Sequence, residues 1–276
     1  MADAIANWAP LTKGVATAIL WLLWGVVLVG LLTARPLSLT VVRTGVPLAL
    51  AVAVLAFANN EGPSLGALAA LAVTSTCVVL ASTPSIGIAC AQGVAYGDEE
   101  RFPLAVPPAL FIGILPLAVL GVGAGIAVGP LLLASGRTAA GFVAVALGLP
   151  LATLLFRSLH QLSRRWLILV PAGIVIHDPM TLTDPFLFTR DSIAGFGIAD
   201  ARKRVPTDAE DLRLGATRGS LALLLSQETD IYRRSRRRSI GCNTSLILVA
   251  PVARQRVLDR AAARRIVISK ASPSAK

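Results

Sequence analysis

The densest concentration of chemistry in this 276-residue chain is Tyr232-Arg233-Arg234-Ser235-Arg236-Arg237-Arg238. A guanidinium is a planar fork of donors that matches an oxyanion, so arginines this closely spaced can hold phosphate or other anionic groups. Near a negatively charged lipid surface each basic residue contributes on the order of 1 kcal/mol. Arg233, Arg234, Arg236, Arg237 and Arg238 are therefore candidate contacts for anionic phospholipid. The competing reading is a solvated hairpin tip that only follows the positive-inside bias. Nucleic acid fits less well, because Tyr232 is the one aromatic side chain in the cluster that could stack on a base.

Catalytic chemistry is hard to assemble from the rest. The chain has two histidines, His160 and His177. His177 precedes Asp178, and such a pair can serve as a general base. Neighbours on a strand point to opposite faces, however, and no nucleophile motif lies nearby, so a structural role is expected. Cys77, Cys90 and Cys242 lack metal-ligand spacing. Asp98-Glu99-Glu100 is an acidic cluster that can bind a divalent cation or, as the simpler expectation, is a solvated loop or an intramolecular partner for basic residues of the tail. No glycine loop for phosphate is present. The sequence indicates no catalytic residue, no cofactor and no metal, and leans away from an enzyme.

The elements that must position these groups belong to two solvents. The composition is 55% apolar and only 15% charged, unlike an ordinary soluble domain. Only five of the 26 basic residues (Lys13, Arg35, Arg43, Arg101, Arg137) and five of the 15 acidic ones (Asp3, Glu61, Asp98, Glu99, Glu100) precede Arg157. The surplus of +11 thus lies wholly after Phe156. Residues 1–160 read as a transmembrane helical domain, 161–270 as a β-rich cytosolic domain and 271–276 as a disordered tail.

Gly14 to Leu32 is uncharged and near the roughly 20 residues that a spanning helix needs. Asp3 ahead of it and the lack of a clear cleavage site favour a retained helix over a signal peptide. Val46–Ala58 is a second span, which Leu37–Thr44 with its Arg43 can extend, and Asn59-Asn60-Glu61-Gly62-Pro63 is a turn leading to a third at Leu65–Ala81. Ser82–Pro103 reads as a loop. Leu104–Ala134 is a long fourth span that prolines can kink, and Thr138–Phe156 is the last. About five spans result, or four if the short second one is interfacial. Arg157, Arg164 and Arg165 after the last span place the C-terminal side in the cytoplasm, with Arg137 dissenting. Gly121, Gly125 and Gly129, four residues apart, make one smooth helix face for packing against another helix of this chain or of a second copy.

From Trp166 onward short apolar runs and period-two alternation suggest strands at 166–170, 174–177, 186–188, 193–198, 212–214, 221–225 and 245–249, then a helix from Pro251 to about Arg265. Leu258, Ala261 and Ala262 can face a core, with Arg256, Arg260 and Arg264 as a stripe beside them. This order implies a small β-barrel or roll closed by the C-terminal helix. Entering through Arg164-Arg165-Trp166-Leu167-Ile168-Leu169-Val170-Pro171-Ala172-Gly173-Ile174 and ending in strand plus helix, it resembles the bacterial pleckstrin-homology-like domains. The whole chain, with 22 arginines to four lysines and much alanine, resembles integral membrane proteins of actinobacteria that carry such a domain. That family has no assigned activity, so the resemblance implies an architecture and a bacterial cell-membrane location only. The leading expectation is a non-enzymatic multi-pass protein whose cytosolic domain organises other membrane or cytosolic proteins, or contacts anionic inner-leaflet lipid. The alternative is a transporter-like or lipid-handling protein built around the long fourth span.

Overall fold

The computed structural model describes residues 7–59, 64–111, 113–199, 206, 209–235 and 238–269. It divides into two compact units, Met1–Cys90 with Ile112–His160, and Ala91–Phe111 with Gln161–Lys276.

The first unit is helical: α1 (Pro10–Leu32), α2 (Pro36–Ala58), α3 (Leu65–Ala81), the main part of α4 (Pro84–Gln92), α6 (Ile114–Ala134) and α7 (Thr138–Leu162). A short helix, α5 (Pro108–Phe111), lies in the second unit. Proline opens α1 and α2, where a missing N–H costs nothing. Ser64 caps α3 by accepting from the Ala67 N–H at 3.2 Å. Leu32, Leu65 and Leu147 stand exposed, as expected where the surrounding solvent is hydrocarbon. Among the described residues α1, α2, α6 and α7 are long and apolar enough to cross a membrane, and α3 with α4, bent by 55°, raises the number to at most five. The chain thus has an integral-membrane helical bundle followed by a soluble sheet-and-helix unit.

The spans differ from the sequence reading at three points. The second is not short: Leu37–Thr44 continues the helix, which puts Arg43 inside it. The doubtful crossing is instead the third, because α3 has only 17 residues. The expected loop 82–103 holds α4 and a strand, β1 (Glu100–Pro103). The long fourth span does not exist as one helix. Gly113, at φ 114°, breaks it in a conformation few other residues adopt, and only Ile114–Ala134 remains membrane-length. Uncharged sequence identified the apolar stretch but could not mark where it leaves hydrocarbon.

The second unit holds β1 with β2 (Trp166–Val170), β3 (Gly173–His177), β4 (Phe186–Thr189), β5 (Ile193–Ile198), β6 (Ala209–Asp211), β7 (Leu221–Ser235), β8 (Arg238–Val249), α8 (Arg254–Ala263) and β9 (Ile268–Ser269). They form two open sheets, in the orders β1-β2-β3-β4 and β6-β8-β7-β5-β9. Neither is closed into a barrel, which corrects the barrel expectation. Short edge strands at β1, β6 and β9 end the sheets instead. Phe102, Leu167, Ile174, Phe188, Leu223 and Val257 meet in one buried core. The alternation in β7 is real: Leu221, Leu223 and Leu225 face that core, while Ala222 and Leu224 join a smaller cluster with Ala199, Leu246 and Leu248. Leu214 is not in a strand but in a turn at φ 52°. Pro251 does not open the last helix, since it bridges to Leu104 and α8 begins at Arg254. Val257, rather than Ala262, joins Leu258 and Ala261 in the core.

Candidate functional site

The arginine cluster lies at the end of the β7–β8 hairpin, where Tyr232 pairs with Gly241, Arg233 with Ile240, Arg234 with Ser239 and Ser235 with Arg238. Side chains alternate across a strand, so Tyr232 and Arg234 share one face and Ile231 and Arg233 the other. Ile231 is buried and Tyr232 is 58% exposed. Arg233 turns toward β6, and its Nη1 sits 2.9 Å from Glu210 Oε2 as an ion pair without hydrogen-bond alignment. Arg234 and Arg238 are exposed. Arg236 and Arg237 lie outside the described residues. Of the candidate lipid contacts, Arg233 is therefore partly neutralised within the fold, and Arg234 and Arg238 present their charge outward.

A second strand-like segment steadies this arm. Thr183 N donates to Tyr232 O at 3.0 Å, and Arg234 N donates to Thr181 O at 2.8 Å. Arg234 Nη1 also reaches Pro179 O at 3.1 Å. The 178–183 turn that supplies these acceptors is anchored in turn by Asp178. Asp178 accepts from Met180 N at 3.0 Å, and its two oxygens take Arg165 Nε and Nη2 at 2.9 and 2.8 Å. Arg165 then spends its remaining reach on Ala105 O at 2.8 Å and Leu212 O at 3.1 Å. Both partners are buried, with side-chain exposures of 1% and 0%. One guanidinium thus ties β2, the 178–183 turn, the inserted 91–111 segment and the end of β6 together.

That arrangement settles the His177–Asp178 pair. The carboxylate faces Arg165, while the His177 ring stacks on Trp166 with centroids 5.3 Å apart. Arg101 lies over the Trp166 ring, 4.9 Å from its centroid. Burial lowers the His177 pKa, Arg164 and Arg101 lower it further, and Asp178 opposes them. Among the described residues the Asp178 carboxylate accepts from Arg165 and Met180, and no hydrogen bond joins it to the imidazole.

The acidic cluster turns inward on its own unit. Glu100 holds Arg260 at 3.1 Å and Arg264 at 3.4 Å, and Arg264 also donates to Asp98 O. Glu99 holds Arg101 at 2.6 Å and accepts from Tyr96 N. An open cleft of about 680 Å³ beside them is lined by both signs of charge, including Asp98, Glu100, Arg190 and Arg265. Among the described residues no group of three or more His, Cys, Asp or Glu is placed to hold a metal ion. The three cysteines are free.

The glycine face of α6 meets α7. A Cβ on Gly125 would lie 2.5 Å from Gly148 O and 3.0 Å from Ala152 Cβ, and one on Gly129 would meet the Val145 backbone at 2.9 Å. Gly121 faces Leu155. These glycines let two helices of the same chain approach backbone to backbone. Sequence reading missed the Arg165–Asp178 pair and the inserted strand. The only signal for either was an apolar Phe102-Pro103-Leu104 following a charged stretch, which continued unbroken into apolar sequence. Compared with known proteins, the chain matches no protein-family model, no curated protein and no solved structure.

Proposed function

We propose that this is a non-enzymatic multi-pass protein of a bacterial cell membrane whose sheet-and-helix unit, of pleckstrin-homology-like kind, contacts anionic inner-leaflet lipid or organises partners there. The observation that carries the proposal is the stapled β7–β8 arm presenting Tyr232, Arg234 and Arg238. A short rigid arm loses little entropy on docking, and an amphipathic tyrosine beside arginines suits the headgroup layer. The strand series followed by α8 supports the pleckstrin-homology-like kinship. The transporter-like alternative loses its main motive, because residues 104–111 belong to the second unit.

Five crossings and a cytoplasmic second unit are part of the same proposal. Thr40 Oγ1 lies 2.9 Å from His160 Nδ1, so the start of α2 and the end of α7 share one end of the bundle. Cys90 lies at that end too, against Arg35 and Arg43. α3 begins after Ala58, at the far end of α2, so α3 and α4 together traverse the bundle. Arg35, Arg43 and Arg157 fall on the α2-start side of the bundle, against Lys13 and Arg137 on the other, which supports cytoplasm for the former.

The test is hydrogen exchange of the full chain in lipid nanodiscs. Amides of 230–242 should gain protection when phosphatidylglycerol replaces part of the phosphatidylcholine, and lose it with added salt as screening shortens to about 8 Å or less. Changing Arg234, Arg236, Arg237 and Arg238 to glutamine, with Arg233 left on Glu210, should remove the gain. Equal protection in neutral and anionic discs would reject lipid contact by this arm.

A further inference from the structure

Arg43 is a cation within the membrane-length helix α2, and among the described residues no carboxylate meets it. It stands seven residues into α2, about 10 Å along the helix from Pro36. A charge at that depth is costly and is ordinarily paired or functional. The first unit contains two acidic residues in sequence, Asp3 and Glu61, and both lie outside the described residues. Glu61 follows the far end of α2, and Ala58 is already about 22 Å from Arg43 along that helix.

What Arg43 does touch is the break between α3 and α4. Its Nε donates to Ala81 O, the last carbonyl of α3, at 3.3 Å. Its terminal nitrogens make no hydrogen bond or ion pair among the described residues. Around it this end of the bundle is unusually polar for a membrane interior. Ser38, Thr40 and Thr44 are buried along the same stretch of α2, Cys90 is buried close by, and Thr40 is paired with His160. The Cα–Cβ bonds of a helix lean toward its N-terminus, here the Pro36 end, where Arg35 adds a second cation. A guanidinium some way below the hydrocarbon boundary, with its paired outer donors unspent, is matched in shape and charge by a phosphate oxyanion.

The geometry points to an oxyanion site at the α3–α4 bend, in which Arg43 holds a phosphate group at membrane depth. The phosphate can be that of a phospholipid in the surrounding leaflet or a soluble one reaching the bend from the aqueous side. This site is separate from the β7–β8 arm and stands whether or not that arm touches lipid.

The experiment uses the full chain purified in a phosphate-free maltoside detergent, with the four arm arginines already changed to glutamine so that the arm contributes nothing. The melting temperature is followed on adding phosphatidylglycerol, a phosphate-free galactolipid, or inorganic phosphate. The expected result is a rise with phosphatidylglycerol, none with galactolipid, and a loss of apparent affinity of about tenfold or more in Arg43→Gln. Arg43→Lys, which keeps the charge and loses the fork, should fall between. Displacement of the phosphatidylglycerol effect by inorganic phosphate assigns a soluble source, and its absence assigns the lipid. If Arg43 only caps the Ala81 carbonyl, both variants lower the starting melting temperature and leave the phosphatidylglycerol increment intact, which overturns the site. An equal rise with galactolipid overturns it as well. Should Arg43→Gln fail to fold, the increment in Arg43→Lys decides: smaller than that of the unsubstituted arginine supports the site, equal overturns it.

Discussion

Arg165 and Arg164 are neighbours of identical type, and nothing in their sequence separates them, yet one is surface charge and the other is sealed in the second unit. Arg165 becomes legible only through its partners, which come from residues 105, 178 and 212. Because both members of the ion pair are buried, removing one leaves an uncompensated charge, at a cost of about 3–5 kcal/mol. Asp178→Asn should therefore lower the unfolding midpoint of the second unit sharply, as followed by thermal melts in detergent, and Arg165→Met in the same chain should restore part of the loss. A double variant no better than the single one would show that the carbonyl bonds of Arg165, rather than the pair, dominate. His177 adds a pH dependence whose sign follows from its lowered pKa. The unfolded chain takes up a proton near the ordinary value of 6.5 while the folded unit resists it, so stability falls as pH drops below that value. His177→Phe, keeping a ring on Trp166, should flatten this part of the acid limb. A later loss remains below the ordinary carboxylate value of 3.8: burial acts to raise the Asp211 pKa, but the hydrogen bonds and charge of Arg213 outweigh it and hold the group low. Melts from about pH 7 down to about pH 2, which span both the imidazole step and the carboxylate step, should show the two losses separately.

At the scale of elements, sequence was most informative where one pattern ran uninterrupted. The bounds of α3 and the first strand, β2, follow directly from an apolar run between turn residues. It was least informative where an element is completed by distant chain. β1 is only Glu-Arg-Phe-Pro, with no alternation of its own, and it is a strand because β2 pairs with it in the register Glu100 to Leu169 through Pro103 to Trp166. Phe102 is 1% exposed and Leu104 is 4% exposed in the core of the second unit. Deleting the contact of a buried phenylalanine costs about 3–5 kcal/mol, a large share of the roughly 5–15 kcal/mol that holds a domain. A polypeptide of residues 161–276 alone also loses the Ala105 acceptor of Arg165 and leaves the edge of β2 open. It should melt without cooperativity, or well below the same piece preceded by residues 91–111 on a flexible glycine–serine linker. Circular dichroism at increasing temperature distinguishes the two, and equal melts would show that the inserted segment is an accessory to the fold rather than a part of it.

For the whole molecule, the division of charge gave the partition into apolar and basic parts, but not the path of the chain between them. The chain leaves the helical unit after Cys90, returns at Ile112, and leaves again after His160. The α6–α7 hairpin, tightened by Gly125 against Gly148, is therefore enclosed between two segments of a single soluble unit. An excursion that starts and ends in one compact unit crosses a bilayer an even number of times, so the parity of the whole topology is decided by α1 to α4. α1 and α2 are each long and apolar enough for one crossing. The remaining pair is either a bent span or a re-entrant loop, and the two differ in where residue 91 emerges relative to Ala58. In the topology proposed above, the pair is a bent span that ends at the Arg43 end of α2, which makes the total odd. The N-terminus and the C-terminal unit should then lie on opposite sides. Reporter fusions active on only one side of the membrane, placed ahead of Asn7 and after Ser269, should give opposite signals, with the C-terminal one cytoplasmic. Equal signals at the two ends would make α3 and α4 a re-entrant loop and remove the basis for reading the bend as a crossing.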